Sequence, residues 1–470
     1  MAGMAQDEAS PSAQYFSSMS LSPPTTGSPY LPLLRELKSE DRGMYLIRLL
    51  GNCADLVAAG KLAQADAFLE HISIYASPDG DSMQRIASHL AEALSRRILR
   101  SLPGVYRTLL PARAAAFPLA EAVTARRHFF DLCPFLHIAF AVSNWAIMDA
   151  MEEEKMIHII DLHVFDPTQW ISLLQALSNR RGGPPHLRIT GVNEHKELLS
   201  YTATCLNKEA ERLDIPFQFN PVVSRLDNLD IESLRLKTGE ALAINSVLQL
   251  HSLLTTNDEG RSCRIMPMPA INSNMAQLHG VSQATLRELL EKEVINGYTP
   301  SPDSLSPPFA LAPAPRMERF FAALQARLPP KVMVITEQES NHNSPMMNER
   351  FTKAQYFYAT LFDCLESTLP RHSVERMRVE KLFGEEIKNI IACEGLERTE
   401  RHEKLERWAQ RLELAGFSRV SLSFEVLLQA RMLLRNFGCE GYMVNIHNGC
   451  IMIYWQSQPL FSVSAWGCRR

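Results

Sequence analysis

Nothing in the chain approaches the roughly 18 consecutive apolar residues that span a bilayer, and the first residues lack a basic-then-apolar leader. The expectation is no membrane span and no secretory signal. The nine cysteines (Cys53, Cys133, Cys205, Cys263, Cys364, Cys393, Cys439, Cys450 and Cys468) are odd in number and scattered, with no C-x-x-C pair. That excludes a disulfide framework or a zinc ribbon and points to a reducing compartment. Concentrated positive charge is absent as well. Lys and Arg total 48 against 52 Asp and Glu, giving a net charge of −4 and a pI near 6.4. No global basic field draws such a chain to nucleic acid or acidic membrane, and no basic run supplies an import signal. Also missing are G-x-S-x-G, a GK[ST] phosphate loop and H-E-x-x-H.

What is present is ordinary globular material: 46% hydrophobic and 21% charged residues in a 470-residue chain. That length suits two or three domains, or one large α/β unit with a helical annex. Residues 1–30, rich in Ser, Pro, Ala and Thr, cannot offset their ordering entropy and are expected to be disordered. From Asp41 the spacing turns helical. Leu46, Leu49, Leu50, Cys53 and Val57 form one stripe that Gly60 should end. Leu62, Ala65, Phe68, Leu69 and Ile72 form a second, and Asp81 with Gln84 resembles a capping box for a third. More helix is expected over 121–131 and 135–151.

The period then changes. Strand-like runs at 155–161, 186–192, 216–223, 241–248 and 331–337 alternate with helical patterns such as 196–213 and 316–328. Alternating β and α implies a mostly parallel sheet. A proline-rich insertion over 255–315 is expected to be mobile from Asn296. Helices are predicted near 346–368, 373–393 and 399–415, then strands at 441–446, 450–456 and 460–465. His447-Asn448-Gly449 reads as a hairpin turn, hence an antiparallel edge. The fold class is α/β: a Rossmann-like, methyltransferase-like core with a mostly parallel sheet and antiparallel edge strands, plus an N-terminal helical cap.

The stretch KMIHIIDLHVFDPTQW, residues 155–170, is the first strand with its crossover. Asp161 ends the strand, where open α/β sheets place ligand chemistry. A dinucleotide or S-adenosylmethionine site needs glycines in the next turn, because only a backbone without Cβ lets the ligand close in. None occurs before Gly182, and Val164 and Phe165 stand in the way. His158, Asp161 and His163 make a poor metal set, since alternation sends His158 to the opposite face. A buried histidine, and an Asp161 that caps the following turn, are the plainer expectation. Three segments match L-x-x-L-L: Leu46, Leu49 and Leu50; Leu250, Leu253 and Leu254; and Leu286, Leu289 and Leu290. Such motifs can dock into a partner's groove but more often line their own core; the third, inside the insertion, is the best docking candidate. The span 371–411 holds ten Lys and Arg against nine Glu. Glu397 with Arg401, Glu400 with Lys404 and Glu403 with Arg407 read as i,i+4 pairs on a solvated helix.

IHIIDLHVFDPTQW, carrying His158, Ile159, Ile160, Asp161, Gln169 and Trp170, resembles the VHIID motif of the GRAS family of plant transcriptional regulators, with Ile157 in place of the leading valine. Arg401 with Glu406, Trp408 with Gly416, and Trp455 with Trp466 match the family's R-x4-E, W-x7-G and W-x10-W, and Ser464-Ala465-Trp466 spells SAW. PHLRITGV resembles the strand before the second leucine-rich region, and PKVMVITEQESNHNSPMMNERFTKAQYFYATLFDCLEST resembles the PFYRE region, though those letters are largely replaced. ELKSEDRG, SPDGDSMQRIA, IPFQFNPVVSRLD and FGEEIKNIIACEG resemble the Scarecrow-like 3 branch. The resemblance implies a GRAS domain over 31–470: leucine-rich region I at 31–102, VHIID at 120–185, leucine-rich region II at 196–228, PFYRE at 240–375 and SAW at 390–470.

It further implies a nuclear, non-enzymatic regulator in gibberellin signalling and root development. DELLA-type GRAS proteins and INDETERMINATE-domain zinc-finger factors are the implied partners, with homo- or hetero-dimers a further arrangement. No cofactor, metal or catalytic residue is expected. Two alternatives stand beside this: a ligand-responsive methyltransferase-fold protein using Asp161 and Glu194, and direct DNA binding by a GRAS dimer. Trp408, Trp455 and Trp466 are expected to be buried anchors with their indole N–H groups paired.

Overall fold

The computed structural model describes residues 39–109, 118–256, 311–370 and 372–469. The N-terminal 30 residues, Cys263, most of the insertion, and Leu286, Leu289 and Leu290 lie outside them. The helical stripes form as expected: α1 (Ser39–Ala58), α2 (Leu62–Tyr75) and α3 (Ser82–Arg100). Gly60 follows α1 with φ +71°. At α3 the capping box is complete, the Asp81 carboxylate accepting from Gln84 N at 2.9 Å and the Gln84 side chain accepting from Asp81 N at 3.2 Å. A short α4 (Pro103–Leu109), which the sequence pattern did not announce, precedes α5 (Leu119–Leu132) and α6 (Pro134–Ala150).

Then come β1 (Met156–Asp161), α7 (Thr168–Ser178), β2 (His186–Asn193), α8 (Lys196–Arg212), β3 (Phe217–Val223), β4 (Ala241–Val247), α9 (Pro315–Arg327) and β5 (Val332–Gln338). The last part holds α10 (Met347–Thr368), α11 (Val374–Ala392), α12 (Leu405–Leu414), β6 (Phe417–Val420), α13 (Phe424–Asn436), β7 (Tyr442–His447), β8 (Cys450–Trp455) and β9 (Gln458–Cys468). The nine strands make one sheet, ordered β3-β2-β1-β4-β5-β9-β8-β7, with β6 also paired to β9. Strands β1 to β5 run parallel, and β6 to β9 add the antiparallel edge. Asn448 and Gly449, at φ +49° and +75°, make the two-residue turn between β7 and β8, where both central residues need positive φ.

β1 lies at the centre, paired to both β2 and β4. Its alternation sorts the core: Ile157 and Ile159 join the cluster beneath α1–α3, α6, α7 and α10, while Ile160 joins a second cluster with α9, α12 and Trp466. The cap is built from both ends of the chain, because α1, α3 and α5 pack on α10 and α11. A buried ion network fastens that joint. Arg85 Nε reaches both Glu380 oxygens at 3.1 and 3.0 Å, Arg376 Nε reaches Glu380 Oε1 at 2.8 Å, and both arginines also contact Glu366.

The span 371–411 corrects the expectation that residues 399–404 are helical and that Glu397, Glu400 and Glu403 form i,i+4 pairs on a solvated helix. Helix α11 ends at Ala392, and helix resumes only at Leu405. Between them Asn389 Oδ1 takes the N–H groups of Thr399 and Glu400 at 2.8 and 2.9 Å, holding an irregular turn. The acidic residues face distant partners instead of i+4 ones. Glu397 meets Arg100 at 2.6 Å, Glu400 approaches His251, and the fully buried Glu403 takes two bonds from Arg411 at 2.6 and 2.8 Å. Glu397 is exposed, but the buried Glu403 must be paired, and its partner is set by the fold and not by helix periodicity.

Removing one member of a buried pair leaves an uncompensated charge. Glu380→Ala should therefore lower stability by about 3–5 kcal/mol, whereas Lys381→Ala, at an exposed pair with Glu121, should change it by less than about 1 kcal/mol. Chemical denaturation of the two variants measures the difference.

Candidate functional site

The carboxyl end of β1 is a knot of buried polar groups. Asp161 Oδ2 accepts from Trp170 Nε1 at 2.8 Å, and Oδ1 accepts from His163 N at 3.2 Å and Asn245 Nδ2 at 3.5 Å. Asn245 also exchanges bonds with Gln169, whose carbonyl accepts from Asn144 Nδ2 at 2.9 Å. Asp161 thus ties β1 to α7, to β4 and through Gln169 to α6. Burial pushes its carboxyl up to about 6, against the pull of these hydrogen bonds. The expectation of a turn-capping Asp161 holds.

The turn after β1 is filled by the chain itself. Leu162 N and Val164 N donate to Asn245 O and Val192 O at 2.9 and 3.0 Å, and Leu162 and Val164 are buried. Val164 packs on Gly191, where an added Cβ would lie 2.8 Å from Val164 Cγ2 and 2.7 Å from Phe219 Cζ. An S-adenosylmethionine-type cofactor does not fit here. The amides that would face it are bonded to neighbouring strands, and its place against β1 holds a valine. His158 lies on the other face, 2.8 Å from Thr190 Oγ1 and 3.0 Å from Arg188, so His158, Asp161 and His163 do not converge.

A cleft of about 440 Å³ nevertheless lies at the carboxyl ends of β1 to β5, beneath α5, α10 and α11. Its size is that of a small-molecule site, and it sits where the strand order reverses. His163 and Glu194 line it, but Asp161 does not. The pair Asp161 and Glu194 therefore has no common site, because Asp161 is turned towards Trp170. On the cleft floor lie Glu400, His251 and His402, a group that no local spacing could have flagged because the insertion, β5 and helices α9, α10 and α11 separate His251 from the other two.

The C-terminal motif residues serve packing. Arg401 is buried and donates to the carbonyls of Arg398 and Gly395, while Glu406 is exposed on the first turn of α12. Gly416 ends α12 with φ +84°, a conformation that favours glycine. Trp455 donates to Asp363 Oδ2 at 2.8 Å and Trp466 to Ser464 Oγ at 2.9 Å. Ser464, Ala465 and Trp466 pair with Ile335, Val334 and Met333 of β5. Trp408 departs from expectation: it is buried, but its indole N–H finds no acceptor, since it packs into the apolar cluster with Leu412, Phe417 and Trp466. The docking reading of Leu46, Leu49 and Leu50 is also corrected, because all three are buried in the cap. Leu250, Leu253 and Leu254 are buried too, in a short 3-10 turn.

One surface feature escaped the sequence. α13 buries Val426, Leu427, Ala430 and Leu434, yet its outer face presents Phe424, Leu428 and Met432 at 62%, 44% and 59% exposure. Their i, i+4, i+8 spacing makes a continuous apolar stripe.

Sheet order, cap and filled turn together define a methyltransferase-like Rossmann core whose cofactor place is built over. The chain belongs to the GRAS domain family, whose match covers residues 46–467. It is 51% identical to Scarecrow-like protein 3 of Arabidopsis thaliana, over 98% of this chain and 97% of that protein. Identity to GRAS family protein TF80 of Medicago truncatula is 47%, covering 94% and 100%. DELLA protein GAI1 of Vitis vinifera is 33% identical, and the match spans 91% of this chain but 62% of that longer protein. The crystal structure of SCL7 in Oryza sativa superposes with a TM-score of 0.69 at 28% identity, covering 90% of this chain and 99% of that one.

Asp161→Asn tests the knot. One carboxylate oxygen becomes a donor facing donors, so stability at pH 7 should fall by about 1–3 kcal/mol. A carboxyl held above its ordinary 3.8, here at about 6, favours the folded state most at low pH. Its contribution declines as pH rises from 3.8 to about 6 and is flat above. Denaturation midpoints across that window should show this decline in the parent and lose it in the variant. Separately, Trp466→Ala should cost about 3–5 kcal/mol by emptying a buried site, read as a lowered Tm.

Proposed function

We propose that this chain is a nuclear, non-enzymatic transcriptional regulator that works through protein contacts, in gibberellin signalling and root development. Its partners in this reading are DELLA-type GRAS proteins and INDETERMINATE-domain zinc-finger factors, the latter supplying the DNA contact. Family membership supports the class. Similarity to Scarecrow-like and DELLA proteins supports the setting. The filled turn after β1 supports a scaffold over a cofactor-dependent enzyme.

The observation that carries protein contact is the outer face of α13. A folded monomer gains nothing from Phe424, Leu428 and Met432 in water, and aligned apolar residues on a helix suit a partner's groove. The net charge of −4 agrees with a protein that leaves DNA to others.

Purified full-length chain should capture a DELLA-type or zinc-finger partner in a pull-down. A Phe424→Asp, Met432→Asp double variant should weaken capture at least tenfold, about 1.4 kcal/mol, with Tm unchanged. Failure of the parent to bind either class would overturn the reading.

A further inference from the structure

Three residues kept apart in sequence meet on the cleft floor: His251 after β4, and Glu400 and His402 in the loop before α12. Among the described residues they are the one group of three or more His, Cys, Asp or Glu ligand atoms found within 4.8 Å of one another. The neighbouring contacts leave Nε2 of both histidines facing Glu400. Glu337 Oε2 lies 2.8 Å from His251 Nδ1, and His251 Nε2 faces Glu400 Oε2 at 3.3 Å, so a cation bound there displaces any proton that Nε2 shares with Glu400. Behind His402, Ser340 Oγ lies 2.8 Å from His342 Nε2, and His342 Nδ1 lies 3.0 Å from His402 Nδ1. With His342 donating to Ser340 and accepting from His402 Nδ1–H, the Nε2 of His402 is left as a bare acceptor. It lies 3.3 Å from the same Glu400 oxygen. His402 is 1% exposed, and this nitrogen has no hydrogen-bond partner.

With Nε2 of both imidazoles deprotonated, three acceptors converge. A single proton on His251 Nε2 answers Glu400 and leaves His402 unanswered; a cation answers all three. Two ligand atoms about 2.0–2.1 Å from zinc at a tetrahedral angle lie roughly 3.3 Å apart, the separation of Glu400 Oε2 from each imidazole nitrogen. Glu337 supplies the carboxylate that orients a metal-ligating histidine from behind, and it is itself fixed by Leu250 N at 2.8 Å. Two imidazoles and one carboxylate suit a borderline transition ion better than Mg²⁺ or Ca²⁺, which take oxygen ligands.

We propose that His251 Nε2, Glu400 Oε2 and His402 Nε2 form a binding site for a zinc-class divalent ion, its fourth position opening into the cleft. No cleft residue belongs to α13, so this site stands independently of the partner surface.

Metal-stripped full-length protein is titrated with Zn²⁺ by calorimetry and with Co²⁺ by visible absorption. About one equivalent of zinc should bind, with affinity at least about 100-fold weaker in Glu400→Gln and in His402→Gln. Binding should be unchanged in His447→Gln, at an exposed histidine, and Mg²⁺ should not compete. Cobalt should give d–d bands without thiolate charge transfer. The proposal is overturned by three results: no saturable binding of micromolar zinc to the parent, a thiolate-to-cobalt band, or unchanged affinity in both folded variants. The first two need no variant, so a substitution that impairs folding leaves the test intact.

Discussion

A carboxylate without water at the end of the central strand is the constraint on which the architecture turns. Asp161 must find donors inside the protein, and it takes them from the indole of Trp170, the amide of His163 and the side chain of Asn245. Each donor belongs to a different part of the crossover or the next strand. The bond to Trp170 sets where α7 returns over the sheet. The bond to His163 bends the chain just after β1, and Asn245 locks the register of β4 against it. Because Asn245 and Asn144 both hold Gln169, helix α6 of the cap joins the same network. An aspartate that would orient a ligand in an enzyme here orients secondary structure.

The same substitution of packing for chemistry runs through the turn. A parallel sheet leaves a crevice where its strand order reverses, and the protein has closed the part nearest β1 with Leu162 and Val164 while leaving the rest open under the cap. The open remainder is lined by charge. Beside it, α10, α11 and the turn before α12 set Glu366, Glu380 and Glu403 against Arg85, Arg376 and Arg411. The pairs of Arg85 and Arg376 hold the cap helices to one another at some expense in desolvation. In exchange they define one arrangement of α3, α10 and α11, because two guanidinium groups share the carboxylates of Glu366 and Glu380.

The sequence reads well where the determinant is local. The alternation of β1, the capping box at Asp81 and the turn at Asn448-Gly449 each depend on a few adjacent residues, and each forms as its pattern implies. It misreads where the determinant is long-range. Glu397, Glu400 and Glu403 stand at helical spacing from Arg401, Lys404 and Arg407, yet their partners are Arg100, His251 and Arg411. Helix α13 was illegible for another reason. Phe424, Leu428 and Met432 are apolar on the outside, Val426, Leu427, Ala430 and Leu434 on the inside, so no single stripe stands out. The orphaned N–H of Trp408 follows the same logic, since the sequence shows an indole but not the apolar cluster around it.

These failures share a cause that bears on function. Wherever the pattern broke down, side chains obey something other than the chain's own hydrophobic period: a buried charge waiting for a distant partner, or an apolar face with nothing of its own to cover. The first kind concentrates at the cleft, where His251, Glu400 and His402 are held in place by Glu337 and His342. The second lies on α13, on the outer surface. A protein that needed only to fold could have replaced both with simpler residues, since apolar substitutes for buried ion pairs are often neutral or stabilising and polar residues on an exposed helix face keep it soluble. The two places therefore mark where forces other than folding have set the side chains. In the readings proposed above, one takes a small charged guest and the other a macromolecular one.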